Sequence, residues 1–95
     1  MTALARTVLV VDDESLIRWA LHDHLVRAGY AVLEAESGWS AAANLGVEGR
    51  GRDVHLVLLD YVIPGGGFQF VEWLREAYPR TRIILMTSAV THDLV

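Results

Sequence analysis

Asp12, Asp13 and Asp60 are the residues of this sequence best placed to do chemistry. Each closes or follows a short apolar run: Val8-Leu9-Val10-Val11 leads into Asp12-Asp13-Glu14, and Leu56-Val57-Leu58-Leu59 leads into Asp60. Thr87 and Ser88 follow a third such run, Ile83-Ile84-Leu85-Met86. Three carboxylates brought into one pocket repel one another, so protons or a cation must neutralise them. With oxygen donors alone and no Cys in the chain, the natural ion is Mg2+, which takes one or two carboxylates and keeps several waters. A carboxylate can also act as a nucleophile and accept a phosphoryl group as an aspartyl phosphate. Transfer then depends on positioning and on neutralising the phosphoryl oxygens. The Thr87 hydroxyl and the backbone N–H groups of Val62 and Ser88 are candidate donors to those oxygens.

These residues need elements that hold them at one edge of a fold. Thr7 to Val11 is apolar on both faces, which predicts a strand covered on both sides, as in a parallel sheet. A helix pattern follows, with Ile17, Leu21 and Leu25 at four-residue spacing, Ala20 and Ala28 beside them, and Arg18, Asp23 and Arg27 pointing elsewhere. Gly29 is its expected stop. Tyr30 to Glu34 reads as a second strand. Ser37 can cap a helix over Trp39 to about Val47, with Ala41, Ala42 and Leu45 inward. A glycine-rich loop follows, Gly46 to Arg52. Val54 to Leu59 is a third strand that ends at Asp60. Tyr61 to Gly67, with Pro64 and three glycines, is a loop. Phe68 to Ala77 is helical, with Phe70, Val71 and Leu74 on its apolar face, and ends before Pro79. Arg82 to Met86 is a fourth strand, and Ala89 to Val95 opens another helix. Alternating strands and helices with short links predict an open parallel sheet with right-handed crossovers and helices on both faces. Ligands of such sheets sit beyond the carboxyl ends of the strands, where strand order reverses. Asp12, Asp13, Asp60, Thr87 and Ser88 all fall there.

Composition narrows the field. With 95 residues the chain has room for one core, and 53% apolar against 21% charged residues excludes disorder as its main state. A formal charge of −4 argues against direct nucleic-acid binding. No run approaches the roughly 20 apolar residues that span a bilayer, so no membrane partner is expected. The N-terminus lacks a secretory core, and the absence of Cys suits a reducing compartment; the expected location is cytoplasmic. All eight basic residues are Arg.

The ordered set Val10-Val11-Asp12-Asp13-Glu14, Leu59-Asp60-x-x-Ile63-Pro64 and Ile84-Leu85-Met86-Thr87-Ser88 resembles the receiver domain of bacterial two-component response regulators. Leu16 to Leu21 is similar to receivers of the nitrogen-regulation type. The resemblance runs from about Thr7 to Val95. It implies a flavodoxin-like doubly wound sheet, here in strand order 2-1-3-4, and a single receiver domain over residues 1–95. It implies that Asp60 is the phosphoacceptor and that Asp13, Asp60 and the Val62 carbonyl bind Mg2+, with Asp12 acting through a water. Thr87 becomes the switch hydroxyl, with Val62 and Ser88 on the phosphate. The implied partner is a sensor histidine kinase, and family members also dephosphorylate themselves with an attacking water. Two features depart from the family pattern. Pro64-Gly65-Gly66-Gly67 fits the family's Pro-x-x-x-Gly loop only with one residue deleted. The family's fifth strand, ending in a phosphate-pairing Lys, and its fifth helix have no counterpart in these 95 residues, which contain no Lys. The domain is thus expected to be incomplete at its C-terminus. Its fourth strand then forms an exposed edge open to self-association.

Other readings of the same residues are blander. Asp12-Asp13-Glu14 read alone is an acidic helix start, Asp60 before a Pro/Gly loop is turn chemistry, and Ser88 is a helix cap. His22 and His24 are two apart and do not share a helix face, which leaves them surface or packing roles. Gly65-Gly66-Gly67 lacks the ending of a phosphate-binding P-loop. An alternative function is a degenerate receiver that serves as a non-phosphorylatable interaction or self-association module. An aspartyl-phosphate phosphatase commonly needs a second Asp two residues after the nucleophile, where this chain has Val62.

Overall fold

The computed structural model describes residues 6–46, 53–60, 63 and 67–86. Seven elements follow in the order β1 (Thr7–Val11), α1 (Ser15–Arg27), β2 (Ala31–Ala35), α2 (Gly38–Gly46), β3 (Val54–Asp60), α3 (Gly67–Ala77) and β4 (Arg82–Met86). The strands form one sheet in the order β2-β1-β3-β4, and every neighbouring pair is parallel. This is the flavodoxin-like arrangement and strand order expected from the sequence. The expected loop and helix residues at 47–52, 61–62, 64–66 and 87–95 lie outside the described residues.

Local chemistry explains the ends of the elements. α1 stops in a Schellman turn: Tyr30 N–H donates to the Leu25 carbonyl and Gly29 N–H to the Val26 carbonyl, both at 3.0 Å. That turn needs a left-handed residue, and Gly29 supplies it at φ 99°. Because Tyr30 is committed to the turn, β2 begins one residue later than the apolar pattern predicts. Ser37 caps α2, its Oγ accepting the Ser40 N–H at 3.1 Å. β3 carries a bulge near its start, where the register against β1 shifts between Thr7 and Val8. There the Thr7 N–H, displaced from the ladder, donates to His55 Nδ1 at 3.0 Å.

Strand alternation sends two rows of side chains to each face. Leu9, Val11, Val57 and Leu59 are fully buried on the face covered by α2 and α3, where they meet Ala41, Leu45, Phe70 and Leu74. Tyr78 closes this layer by donating its hydroxyl to the Leu45 carbonyl at 3.3 Å. Val8 and Val10 are buried on the opposite face, where α1 lies over β1 and β2. The apolar stripe expected on α1 is less covered than its spacing suggests. No residue of α1 is buried, and Ile17 is 42% exposed. Among the described residues no second helix flanks α1 over β3 and β4, so part of the stripe and Ile84 of β4 face outward.

Candidate functional site

The register between β1 and β3 builds the site. Val11 pairs with Leu59 in parallel alignment, so Asp12 and Asp60 are the next residues on two adjacent strands. Neighbouring strands lie about 4.8 Å apart. β2 lies on one side of β1 and β3 on the other, so strand order reverses between β1 and β3, and the acidic residues stand at that switch point. One carboxylate oxygen from each of Asp12, Asp13 and Asp60 falls within 4.8 Å of the other two. The three aspartates singled out from the sequence are therefore brought together. Val62, Thr87 and Ser88 lie outside the described residues.

The three carboxylates stand in different surroundings. Asp12 is buried at 4% exposure, Asp60 is half-buried and Asp13 is exposed. Asp12 is held at three points. Its N–H donates to the Ala35 carbonyl at 3.1 Å, its Oδ1 accepts the Glu14 N–H at 2.9 Å, and its backbone carbonyl accepts from Arg18 Nη1 at 2.7 Å. Burial pushes the Asp12 carboxyl above the ordinary carboxylate range. The Glu14 N–H opposes that shift, the charges of Asp60 and Asp13 reinforce it, and Arg18 opposes it. A buried acid facing two other carboxylates is the arrangement that a cation relieves. The donor set, three hard oxygens with one of them solvent-accessible, fits a divalent cation of the Mg2+ or Ca2+ kind.

The raised Asp12 value links stability to pH. The folded state holds this proton more tightly than the unfolded chain does. The resulting stabilisation is present at low pH and is lost as pH rises through the raised value. In chelator, the melting temperature of the wild type relative to Asp12→Asn is therefore expected to fall as pH rises from the ordinary carboxylate value through the raised one. Paired thermal melts check this, and a difference that stays constant or grows with pH contradicts it.

Sequence reasoning missed the polar cluster behind the site. Arg18 Nε lies 3.3 Å from Glu34 Oε1, and His22 Nδ1 lies 2.8 Å from Glu34 Oε2, the latter close by distance but without hydrogen-bond geometry. The only sequence trace of it is that Arg18 and His22 are four apart and so share one face of α1. A separate hollow of about 860 Å³ lies at the amino ends of the strands, between Val8, Tyr30, Leu56, Tyr78 and Ile84. It is at the opposite end of the sheet from the aspartates. Among the described residues no helix is long and apolar enough to cross a membrane.

Comparison with known proteins agrees with this geometry. The sequence profile of the response regulator receiver domain matches residues 8–95. The transcriptional regulatory protein ResD of Bacillus subtilis is 40% identical over 82 residues, which are 85% of this chain and 32% of ResD. The chain thus spans about a third of the length of that relative. A chain in the crystal structure of histidine kinase ThkA in complex with response regulator protein TrrA superposes with a TM-score of 0.75 at 32% identity, covering 87% of this chain and 69% of that one. A response regulator from Burkholderia pseudomallei, crystallised with a phosphorylated aspartic acid, calcium ion and citrate, gives a TM-score of 0.76 at 26% identity, covering 86% of this chain and 46% of that one. With its parallel sheet in order 2-1-3-4, its acidic switch point and a profile match along nearly its whole length, this chain belongs to the response regulator receiver domain family of two-component systems.

Proposed function

We propose that this chain is a phosphoacceptor, taking a phosphoryl group from a sensor histidine kinase onto Asp60 with Mg2+ as cofactor. The observation that carries the reading is the convergence of the Asp12, Asp13 and Asp60 oxygens within 4.8 Å at the switch point of the sheet. The phosphorylated aspartic acid and calcium ion of the Burkholderia pseudomallei relative support it, and the ThkA–TrrA complex supports a histidine kinase as donor.

In this reading a carboxylate oxygen of Asp60 bonds to phosphorus as the bond from phosphorus to the donor's imidazole nitrogen breaks, and the imidazole leaves with the bonding pair. Asp13 and Asp60 would hold the cation together with the Val62 carbonyl, and Asp12 would support it through water, a ligand set that the family resemblance implies. When bound, the cation neutralises charge on the phosphoryl oxygens. Thr87, Ser88 and the Val62 N–H receive the remaining oxygens, a role that rests on their sequence motif. Autodephosphorylation is the reverse need of the same site: water attacks phosphorus and the Asp60 carboxylate leaves.

Acetyl phosphate and Mg2+ test the proposal directly. Intact-mass analysis is expected to show one added phosphoryl group, removed by hydroxylamine, absent in chelator and mapped by peptide analysis to Asp60. Modification at another residue, or none with the cation present, overturns it.

A second reading is a receiver that works by self-association. It is favoured by β4, where Ile84 and Leu85 are about half exposed on a strand at the edge of the described sheet. That role requires no chemistry at Asp60, so the acetyl phosphate experiment separates the two.

A further inference from the structure

Arg18 occupies an unusual position for a helix-surface cation. Its side chain is only 19% exposed, and its guanidinium is held from two sides. Nη1 donates to the backbone carbonyl of Asp12 at 2.7 Å, and Nε lies 3.3 Å from Glu34 Oε1 on β2. A planar guanidinium bound at two points has little freedom left, which is why Arg rather than Lys suits such a bridge. The carbonyl that Arg18 grips belongs to the peptide joining Asp12 to Asp13. The plane of that peptide sets the direction in which the chain leaves Asp12, and hence where Asp13 presents its carboxylate.

We propose that Arg18, aimed by Glu34, is a positioning residue for the cation site: by fixing the Asp12–Asp13 peptide it keeps both carboxylates turned toward Asp60. This inference rests on the reading of Asp12, Asp13 and Asp60 as a cation site. Groups that orient metal ligands are known to shape affinity strongly, their loss costing about 10–100-fold in binding.

Charge and geometry make opposite demands here, which gives the test its sign. The positive charge of Arg18 repels a bound cation, and its removal leaves Glu34 as an added negative charge nearby. If Arg18 acted only through its field, Arg18→Met would bind Mg2+ more tightly. If it acts by holding the peptide, Arg18→Met binds more weakly despite the gain in negative charge.

The experiment is an isothermal titration of Mg2+ into wild type, Arg18→Met, Arg18→Lys, Glu34→Gln and Asp13→Asn, with melting temperatures taken in chelator. Arg18→Met is expected to bind about tenfold more weakly than wild type. Arg18→Lys keeps the charge without the fork and recovers only part of the loss. Glu34→Gln weakens binding in the same direction by a smaller factor. A purely structural role would lower the melting temperature and leave the Mg2+ affinity of the folded fraction unchanged, which overturns the proposal. Affinity in Arg18→Met equal to or tighter than wild type also overturns it. Wild type binding Mg2+ while Asp13→Asn does not upholds the cation site whatever Arg18 does, whereas a wild type that binds no Mg2+ overturns both. Should Arg18→Met melt below the working temperature, Arg18→Lys carries the test, since it keeps the charge and the apolar stem: affinity equal to wild type then overturns the proposal.

Discussion

Asp60→Asn is expected to accept no phosphoryl group from acetyl phosphate and, in chelator, to melt at a higher temperature than the wild type. The first effect follows from chemistry. The amide is neutral, its nitrogen lone pair is delocalised, and it is a poor nucleophile at phosphorus, so uptake falls by on the order of a thousandfold or more. The second effect follows from charge. Asp60 is one of three carboxylates whose oxygens converge within 4.8 Å, and its field is one of the influences that push the Asp12 carboxyl upward. At such a separation, near a surface, relief of one like-charge contact is worth about 1 kcal/mol after allowance for solvent screening. In a domain of this size that raises the melting temperature by about 4–8 °C. Asparagine keeps the shape of the side chain and one carbonyl acceptor, so packing at the end of β3 is preserved. The two effects together are the mark of a site that sacrifices stability for function. Intact-mass analysis and thermal melts on the same preparation check both. Undiminished uptake excludes Asp60 as the acceptor. A lower melting temperature excludes repulsion as the dominant influence on Asp60 in the cation-free state.

The acidic residues were legible in the sequence because their positions follow from chain-local features. An apolar run of strand length that stops at Asp12, and another that stops at Asp60, announce both the element and its end. β1 and β4 have the limits the apolar pattern predicts, and β3 extends one residue to include Asp60. Other features depend on register, which no single segment encodes. That Val11 pairs with Leu59, and so puts Asp12 beside Asp60, follows only once the sheet is assembled. The bulge that turns His55 toward the Thr7 N–H belongs to the same class. So does the Arg18–Glu34 pair, whose partners are sixteen residues apart and meet because α1 crosses over β2. The stripe on α1 was legible as a pattern but not as burial, because spacing describes one helix and burial depends on its neighbours. Ile17, a member of that stripe at 42% exposure, shows the difference.

Leu59→Ala is expected to destabilise the domain by about 3 kcal/mol, within the range of about 2–5 kcal/mol for leucine truncations in packed cores. Leu59 is fully buried in the cluster that includes Leu9, Val11, Leu45, Phe70 and Leu74. It sits between Val11 on β1 and Leu85 on β4, so the strands themselves limit how far the cavity can collapse. A domain of this length has a total stability of roughly 5–14 kcal/mol. The loss is therefore a large share of the whole, and the melting temperature falls by about 12–24 °C. Leu16→Ala provides the contrast. At 77% exposure it removes little buried surface, and its effect should stay within about 0.5 kcal/mol. Urea unfolding of the two variants measures the difference through the midpoint at constant slope. Leu59 also immediately precedes Asp60, so the hydrocarbon that fills the sheet at this point is what holds the Asp60 carboxylate in line with Asp12. A Leu59→Ala variant that unfolds like the wild type would mean that α2 and α3 do not pack on this row of the sheet. The site would then lose the layer that positions it.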